Sequence, residues 1–151
     1  MIPIINKVFV DSSLLIEAEK GNFTNFLQDL YFNNSMQLCI NDIVVSEFLF
    51  HFIGLQTGKA PLTIKEKKEI STVIDVYNED ELLSNFEFIP SSKEMISIVP
   101  HFMKKYNLLP NDAIILATCK INNISKLASY DTDFILPCKE EGIILLIPEK
   151  V

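Results

Sequence analysis

Five carboxylates in this chain stand where side chains could do chemistry together. Asp11 directly follows the run KVFV, residues 7 to 10. Glu47 sits in VVSEFLF, with Ile43, Val44 and Phe50 as its neighbours on a helix. Asp112 opens the apolar run AIILA, and Asp131 and Asp133 follow KLAS in the segment YDTDF. Each has an ordinary structural explanation. Asp11 and one of the acids after KLAS suit turns or helix caps, because aspartate accepts backbone N–H bonds there. Glu47 fits a polar stripe with Asn41, Ser46 and His51. A charge in a helix's first turn, as at Asp112, gains about 0.3 to 1 kcal/mol from the helix dipole. None of these readings predicts what the set shares, which is a place at a strand's carboxyl end or on a helix start or turn able to face one. Two carboxylates about 4 Å apart cost roughly 4 kcal/mol at an effective dielectric near 20, and a divalent cation turns that repulsion into attraction.

The donor chemistry narrows the cation. An oxygen-only ligand set suits Mg²⁺ or Mn²⁺, whereas zinc prefers histidine or cysteine. His51 and His101 stand far apart in sequence with no cysteine at ligand spacing. Cys39, Cys119 and Cys138 form no C-x-x-C pair. They read as buried free thiols of a reducing compartment.

The elements that must hold these acids follow from hydrophobic periodicity. KVFV is a buried strand, QLCI (37–40) a second, FEFI (86–89) a third, KLAS (126–129) a fourth and GIILLI (142–147) a last. Between them, residues 14–20 give one or two helical turns. FTNFLQDLYF repeats Phe23, Phe26, Leu27, Leu30 and Tyr31 at helical spacing. Asn41 caps a helix over 42–56 that Gly58 closes. Thr63 and Glu66 have capping-box spacing and predict a helix carrying Ile70, Val73, Ile74 and Tyr77 on one side. Ser91 and Glu94 predict another, running to about Asn107. Pro110 and Asn111 open the helix behind Asp112, and Asn122 and Asn123 close it. Strands alternating with helices imply one α/β domain over 1–151, a three-layer α/β/α sandwich with a short, mostly parallel sheet. Such sheets bind ligands beyond the carboxyl ends of their strands, where the acids stand.

Composition limits the function. Apolar residues make up 48% of the 151 and charged residues 22%, which excludes a disordered chain. The amino terminus shows neither a signal peptide nor a membrane span, so a cytoplasmic protein with no membrane partner is expected. All thirteen basic residues are lysines, and the net charge is −7. With no arginine fork and a negative field, a plain nucleic-acid-binding module is disfavoured.

Four motifs in order, VFVDSSLLIE, VVSEFLF, LLPNDAIILATC and LASYDTDF, resemble the PIN-domain nucleases, which include the VapC-type toxins of toxin–antitoxin pairs. The resemblance spans nearly the whole chain. It implies that Asp11, Glu47 and Asp112 bind metal, that Asp131 matches the fourth acid, and that Asp133 contributes. By the same match, Ser13 supports the site by hydrogen bonding, and Ala113 and Ala117 are small positions that let their helix pack closely. Many relatives carry Thr-Arg before the fourth acid, where this chain has Ser129-Tyr130. Cys119 replaces a small residue. RNA would therefore be held by the metal, backbone amides and lysines. Lys20, Lys104, Lys105 and Lys126 are candidates, each also readable as a solvated surface residue.

The activity implied is Mg²⁺- or Mn²⁺-dependent hydrolysis of phosphodiester bonds in single-stranded RNA, by the toxin of a toxin–antitoxin pair. A small basic antitoxin and a homodimer partner are expected with it. The alternatives are a stand-alone PIN nuclease in RNA processing and a PIN-like module that only binds a partner. The second gives no physical reason to retain mutually repelling carboxylates. A phosphatase of the haloacid-dehalogenase type is also disfavoured, because Ser13 stands where its second acid belongs.

Overall fold

Five short strands, all parallel, form the centre of the molecule. The computed structural model of the chain describes residues 6–22, 24–33, 35–77 and 82–148. The strands are β1 (Asn6–Val10), β2 (Met36–Ile40), β3 (Glu87–Phe88), β4 (Lys126–Ala128) and β5 (Ile144–Leu146), in spatial order β3-β2-β1-β4-β5. Val8 pairs with Leu38 on one side and Lys126 on the other. Val8, Phe9 and Val10 have no exposed surface, as a central strand covered on both faces requires.

The helices are α1 (Ser12–Glu19), α2 (Thr24–Tyr31), α3 (Asp42–Thr57), α4 (Pro61–Glu66), α5 (Ile70–Ile74), α6 (Met95–Tyr106), α7 (Pro110–Ile121) and α8 (Ile135–Glu141). One 3₁₀ turn covers Leu83–Asn85 and another Thr132–Phe134. With the right-handed crossovers that parallel strands take, this strand order assigns α1 to α5 to one face of the sheet and α6 to α8 to the other. That is the three-layer α/β/α sandwich. Phe9, Leu14, Leu15, Phe48, Ile115, Leu116, Leu127 and Phe134 are almost fully buried in its core. Each such side chain contributes about 1.5 to 3 kcal/mol by leaving water. Among the described residues no helix is long and apolar enough to cross a membrane.

From β1 the strand order runs outward through β2 and β3 on one side and, after the chain crosses back, through β4 and β5 on the other, so the order switches between β1 and β4. In such sheets ligands bind at this switch point, beyond the strand ends. Asp11 follows β1 there, and Ser129 follows β4.

Local signals hold at some ends and fail at others. The Asn41 side chain accepts a hydrogen bond from the Val44 amide and caps α3, and Gly58 ends that helix at φ 65°. The left-handed backbone there suits glycine. The helix expected from Thr63 to Tyr77 is two helices. Pro61 starts α4 two residues early, and Lys68 at φ 59° breaks the path before α5. A positive φ cannot continue a right-handed helix, and Thr63 lies inside α4, whose N-cap is Ala60, so the Thr63–Glu66 spacing caps nothing. Nor does Ser91 cap α6, which begins at Met95. Its hydroxyl instead donates to Asp42 Oδ1 at 3.2 Å. The apolar face expected for α2 buries Leu27 and Leu30 but leaves Tyr31 42% exposed, while Phe23 lies outside the described residues.

Candidate active site

Asp11 is the deepest of the acids, at 4% exposure. Its backbone amide extends the β1–β4 ladder by donating to the Ala128 carbonyl at 2.9 Å. Two hydroxyls donate to the same carboxylate oxygen, Oδ2: Ser129 at 2.6 Å and Ser13 at 2.8 Å. Both hydroxyls also accept from the backbone of the segment after β4. Ser13 Oγ takes the Tyr130 amide and Ser129 Oγ the Asp131 amide, each at 3.0 Å. The Asp11 carboxylate is thereby linked to the peptide that carries Asp131. Asp131 in turn accepts the Asp133 amide at 2.8 Å and caps the second 3₁₀ turn. The cap role and a place in the cluster therefore coexist in one residue.

Glu47 enters from α3 and is half-buried. The Ser12 hydroxyl, at the start of α1, donates to its Oε2 at 2.5 Å. This short, charge-assisted contact aims the glutamate toward the strand ends. A polar stripe does not account for it, because Asn41 is fully buried while Ser46 and His51 are exposed.

Asp112 lies in the first turn of α7. One carboxylate oxygen from each of Asp112, Asp131 and Asp133 lies within 4.8 Å of the others. Burial pushes the Asp112 carboxyl up to about 7, and the negative charges of Asp131, Asp11, Glu47 and Asp133 push it the same way. Burial also raises Asp11, against the opposing effect of the Ser129 and Ser13 hydrogen bonds, with the Glu47 charge adding to the rise. Among the described residues, no ion pair joins any of these five acids to a lysine. Among the described residues, the cluster concentrates acidic groups with no paired lysine to offset their charge.

This donor set fits a hard divalent cation. The converging groups are carboxylates supported by hydroxyls, the oxygen ligands that Mg²⁺ and Mn²⁺ take. Nitrogen and sulfur ligands are elsewhere: His51 and His101 are exposed. The three cysteines are buried free thiols, with Cys39 and Cys138 pushed up to about 12 chiefly by burial. A cation among Asp11, Glu47, Asp112, Asp131 and Asp133 would meet developing negative charge on a phosphate or carbonyl oxygen bound beside it.

The structure brings Asp112, Asp131 and Asp133 within 4.8 Å of one another, and places Asp11, held by Ser13, and Glu47 outside that group but close enough for their charges to raise the Asp112 carboxyl. Two further residues belong with them that sequence reasoning did not single out as site members, Ser12 and Ser129. A serine beside an acid at a strand end reads as turn chemistry. Its partner 35 or 118 positions away is invisible along the chain. Of the candidate lysines, Lys20 pairs with Glu17 at 3.0 Å and Lys105 with Glu141 at 3.2 Å, Lys104 is exposed and Lys126 half-buried. Ala113 and Ala117 are fully buried, as close packing of α7 demands.

Comparison with known proteins gives concordant results. The PIN domain family model matches residues 8–139. The chain is 39% identical over 130 residues to Ribonuclease VapC2 of Methanocaldococcus jannaschii, covering 85% of this chain and 87% of that protein. It is 36% identical over 140 residues to Ribonuclease VapC6 of the same organism, covering 85% and 91%. Among solved structures, a toxin–antitoxin complex from Klebsiella pneumoniae superimposes with a TM-score of 0.62 at 20% identity, over 95% of this chain and 99% of that one. At that identity the likeness is one of fold.

Proposed function

Because the chain belongs to the PIN-domain family, and to its VapC-type members, we propose that it is a Mg²⁺- or Mn²⁺-dependent endoribonuclease that hydrolyses phosphodiester bonds of single-stranded RNA as the toxin of a toxin–antitoxin pair. One observation carries the reading beyond family membership. Asp112, Asp131 and Asp133 converge within 4.8 Å of one another with Asp11 and Glu47 near enough to act on Asp112, no lysine among the described residues pairs with any of the five, and burial together with these charges raises the Asp112 carboxyl to about 7.

Asp11, Glu47, Asp112 and Asp131 form the catalytic set in this reading, with Asp133 completing the ligands and Ser13 in support. When bound, the divalent ion acidifies the attacking water and offsets charge on the scissile phosphate. The protein's own part is positioning. Ser13 and Ser129 hold Asp11 Oδ2, and Ser12 holds Glu47 Oε2. With its carboxyl raised to about 7, Asp112 is about half protonated near neutral pH, and a bound cation would favour its ionised form. No side-chain nucleophile is required. With no arginine in the chain, RNA is held by lysines, backbone amides and the ion.

The protein acts in the cytoplasm as a single domain over residues 1–151. Exposed Phe32, Ile96 and Leu109 offer apolar surface for a homodimer and an antitoxin, and the net charge of −7 complements a small basic partner. The named relatives are ribonucleases, and the Klebsiella structure is a toxin–antitoxin complex.

Cleavage of single-stranded RNA by the purified chain in Mn²⁺, abolished by EDTA and by Asp112→Asn, is the expected result. Equal cleavage by variant and wild type would refute the site. Expression should also arrest growth, with relief by Asp11→Ala. Growth arrest that persists in Asp11→Ala would separate toxicity from this chemistry.

A further inference from the structure

Two of the acids reach the site from helices on opposite faces of the sheet, Glu47 from α3 and Asp112 from α7. One buried polar link spans the two helices. Asn41 has no exposed surface, and Thr118 has 1%. Asn41 Oδ1 accepts the Val44 amide at 3.1 Å, and its Nδ2 donates to Thr118 Oγ1 at 3.0 Å. The Thr118 hydroxyl passes its own hydrogen to the Ile114 carbonyl at 2.8 Å. Glu47 lies six residues beyond Asn41, and Asp112 six residues before Thr118.

Neither helix needs this link for itself. Serine, threonine or aspartate caps a helix as well as asparagine does, but none of those side chains offers an amide hydrogen to a second helix. On α7, the flanking Ala117 and Cys119 are fully buried apolar groups, and an apolar residue of threonine's shape would pack beside them. The hydroxyl is used only as the receiver of the Asn41 hydrogen and as a donor back to its own helix. A hydrogen bond at 3.0 Å weakens steeply when its partners separate or tilt, so it fixes where the start of α3 sits against the middle of α7.

We infer that Asn41 and Thr118 are positioning residues of the acid site: their hydrogen bond sets the separation of Glu47 and Asp112, so that two mutually repelling carboxylates face one cation. This rests on the reading of the acid cluster as a divalent-cation site. Neither residue touches the cation. Both act through the helices that carry its ligands, and support of this indirect kind commonly changes metal affinity by about 10- to 100-fold.

The test uses the full chain and three variants. Thr118→Val keeps the shape and removes the link, Thr118→Ser keeps the hydroxyl, and Asn41→Ser keeps the cap while removing the amide. Mn²⁺ affinity is measured by calorimetric titration, and metal-free stability by Tm in EDTA. Thr118→Val and Asn41→Ser should each raise the Mn²⁺ Kd about tenfold or more, while Thr118→Ser stays near wild type. Should Thr118→Val fail to fold, Asn41→Ser carries the comparison. A lowered metal-free Tm with an unchanged Mn²⁺ Kd is what a purely structural link would produce, and it would overturn the inference while leaving the cation site standing. No Mn²⁺ binding by the wild type would overturn the cation site, and this inference with it.

Discussion

Replacing Asp112 by asparagine should stabilise the metal-free protein at alkaline pH, an unusual outcome for a change at the mouth of a core helix. In the folded chain this carboxyl is raised from 3.8 to about 7 by burial and by four neighbouring acids. A carboxyl raised on folding favours the folded state as the neutral acid. Its contribution to stability is therefore fully present below about pH 4, shrinks as pH rises toward 7, and is gone above that. A rise of about three units corresponds to roughly 4 kcal/mol. Because the side chain is only partly buried, solvent screening reduces this to about 2 kcal/mol. Asparagine forgoes a helix-dipole attraction of about 0.3 to 1 kcal/mol. The net gain at pH 8 is then about 1 to 1.5 kcal/mol, or a Tm higher by roughly 3 to 6 °C for a chain of this size. At pH 4, close to the carboxyl's unfolded value of 3.8, the group is protonated in the folded state and almost half protonated in the unfolded one, and the two Tm values should nearly coincide. Saturating Mn²⁺ should reverse the order at pH 8, since only the wild type keeps its full ligand set. Calorimetric scans in EDTA and in Mn²⁺ at both pH values give the comparison. A variant less stable than wild type in EDTA at both pH values would show that Asp112 serves as a helix-start group, and would refute the convergence argument.

Other perturbations separate positioning from folding. Ser12→Ala removes the donor to Glu47 Oε2 and should lower kcat about tenfold while moving Tm by only a few degrees; steady-state cleavage and a melt together check it. Ser129→Ala removes a hydrogen bond that opposes the rise of the Asp11 carboxyl, so the acidic limb of the rate profile should move to higher pH. An unmoved limb would mean that Asp11 does not govern it. Gly58→Ala places a side chain at φ 65° and should cost about 1 kcal/mol of stability with cleavage unchanged. Lost activity there would show that the end of α3 is coupled to the site.

Much of the site was legible because its physics is local. An acid directly after a buried strand, or at the start of an apolar helix, stands where an α/β sheet opens to solvent. Taken one by one, Asp11, Asp112 and Asp131 each read as a turn or cap residue, and it is their shared placement that singles them out. Glu47 was legible because a charge among Ile43, Val44 and Phe50 calls for a partner. The same local reasoning failed at Thr63 and Glu66. Capping-box spacing says nothing about Pro61 starting the helix earlier or Lys68 turning left-handed after it.

By itself the sequence determined the strand and helix alternation, the parallel sheet and the oxygen-only character of the donors, since these follow from periodicity and residue type. Only the tertiary structure decided who holds whom. Ser12 meets Glu47, Ser129 meets Asp11, and Asn41 meets Thr118 across separations of 35, 118 and 77 residues. It also decided that no lysine among the described residues pairs with the acids. A hydrogen bond or an ion pair depends on distances of a few ångströms in space, and packing of whole elements sets those distances.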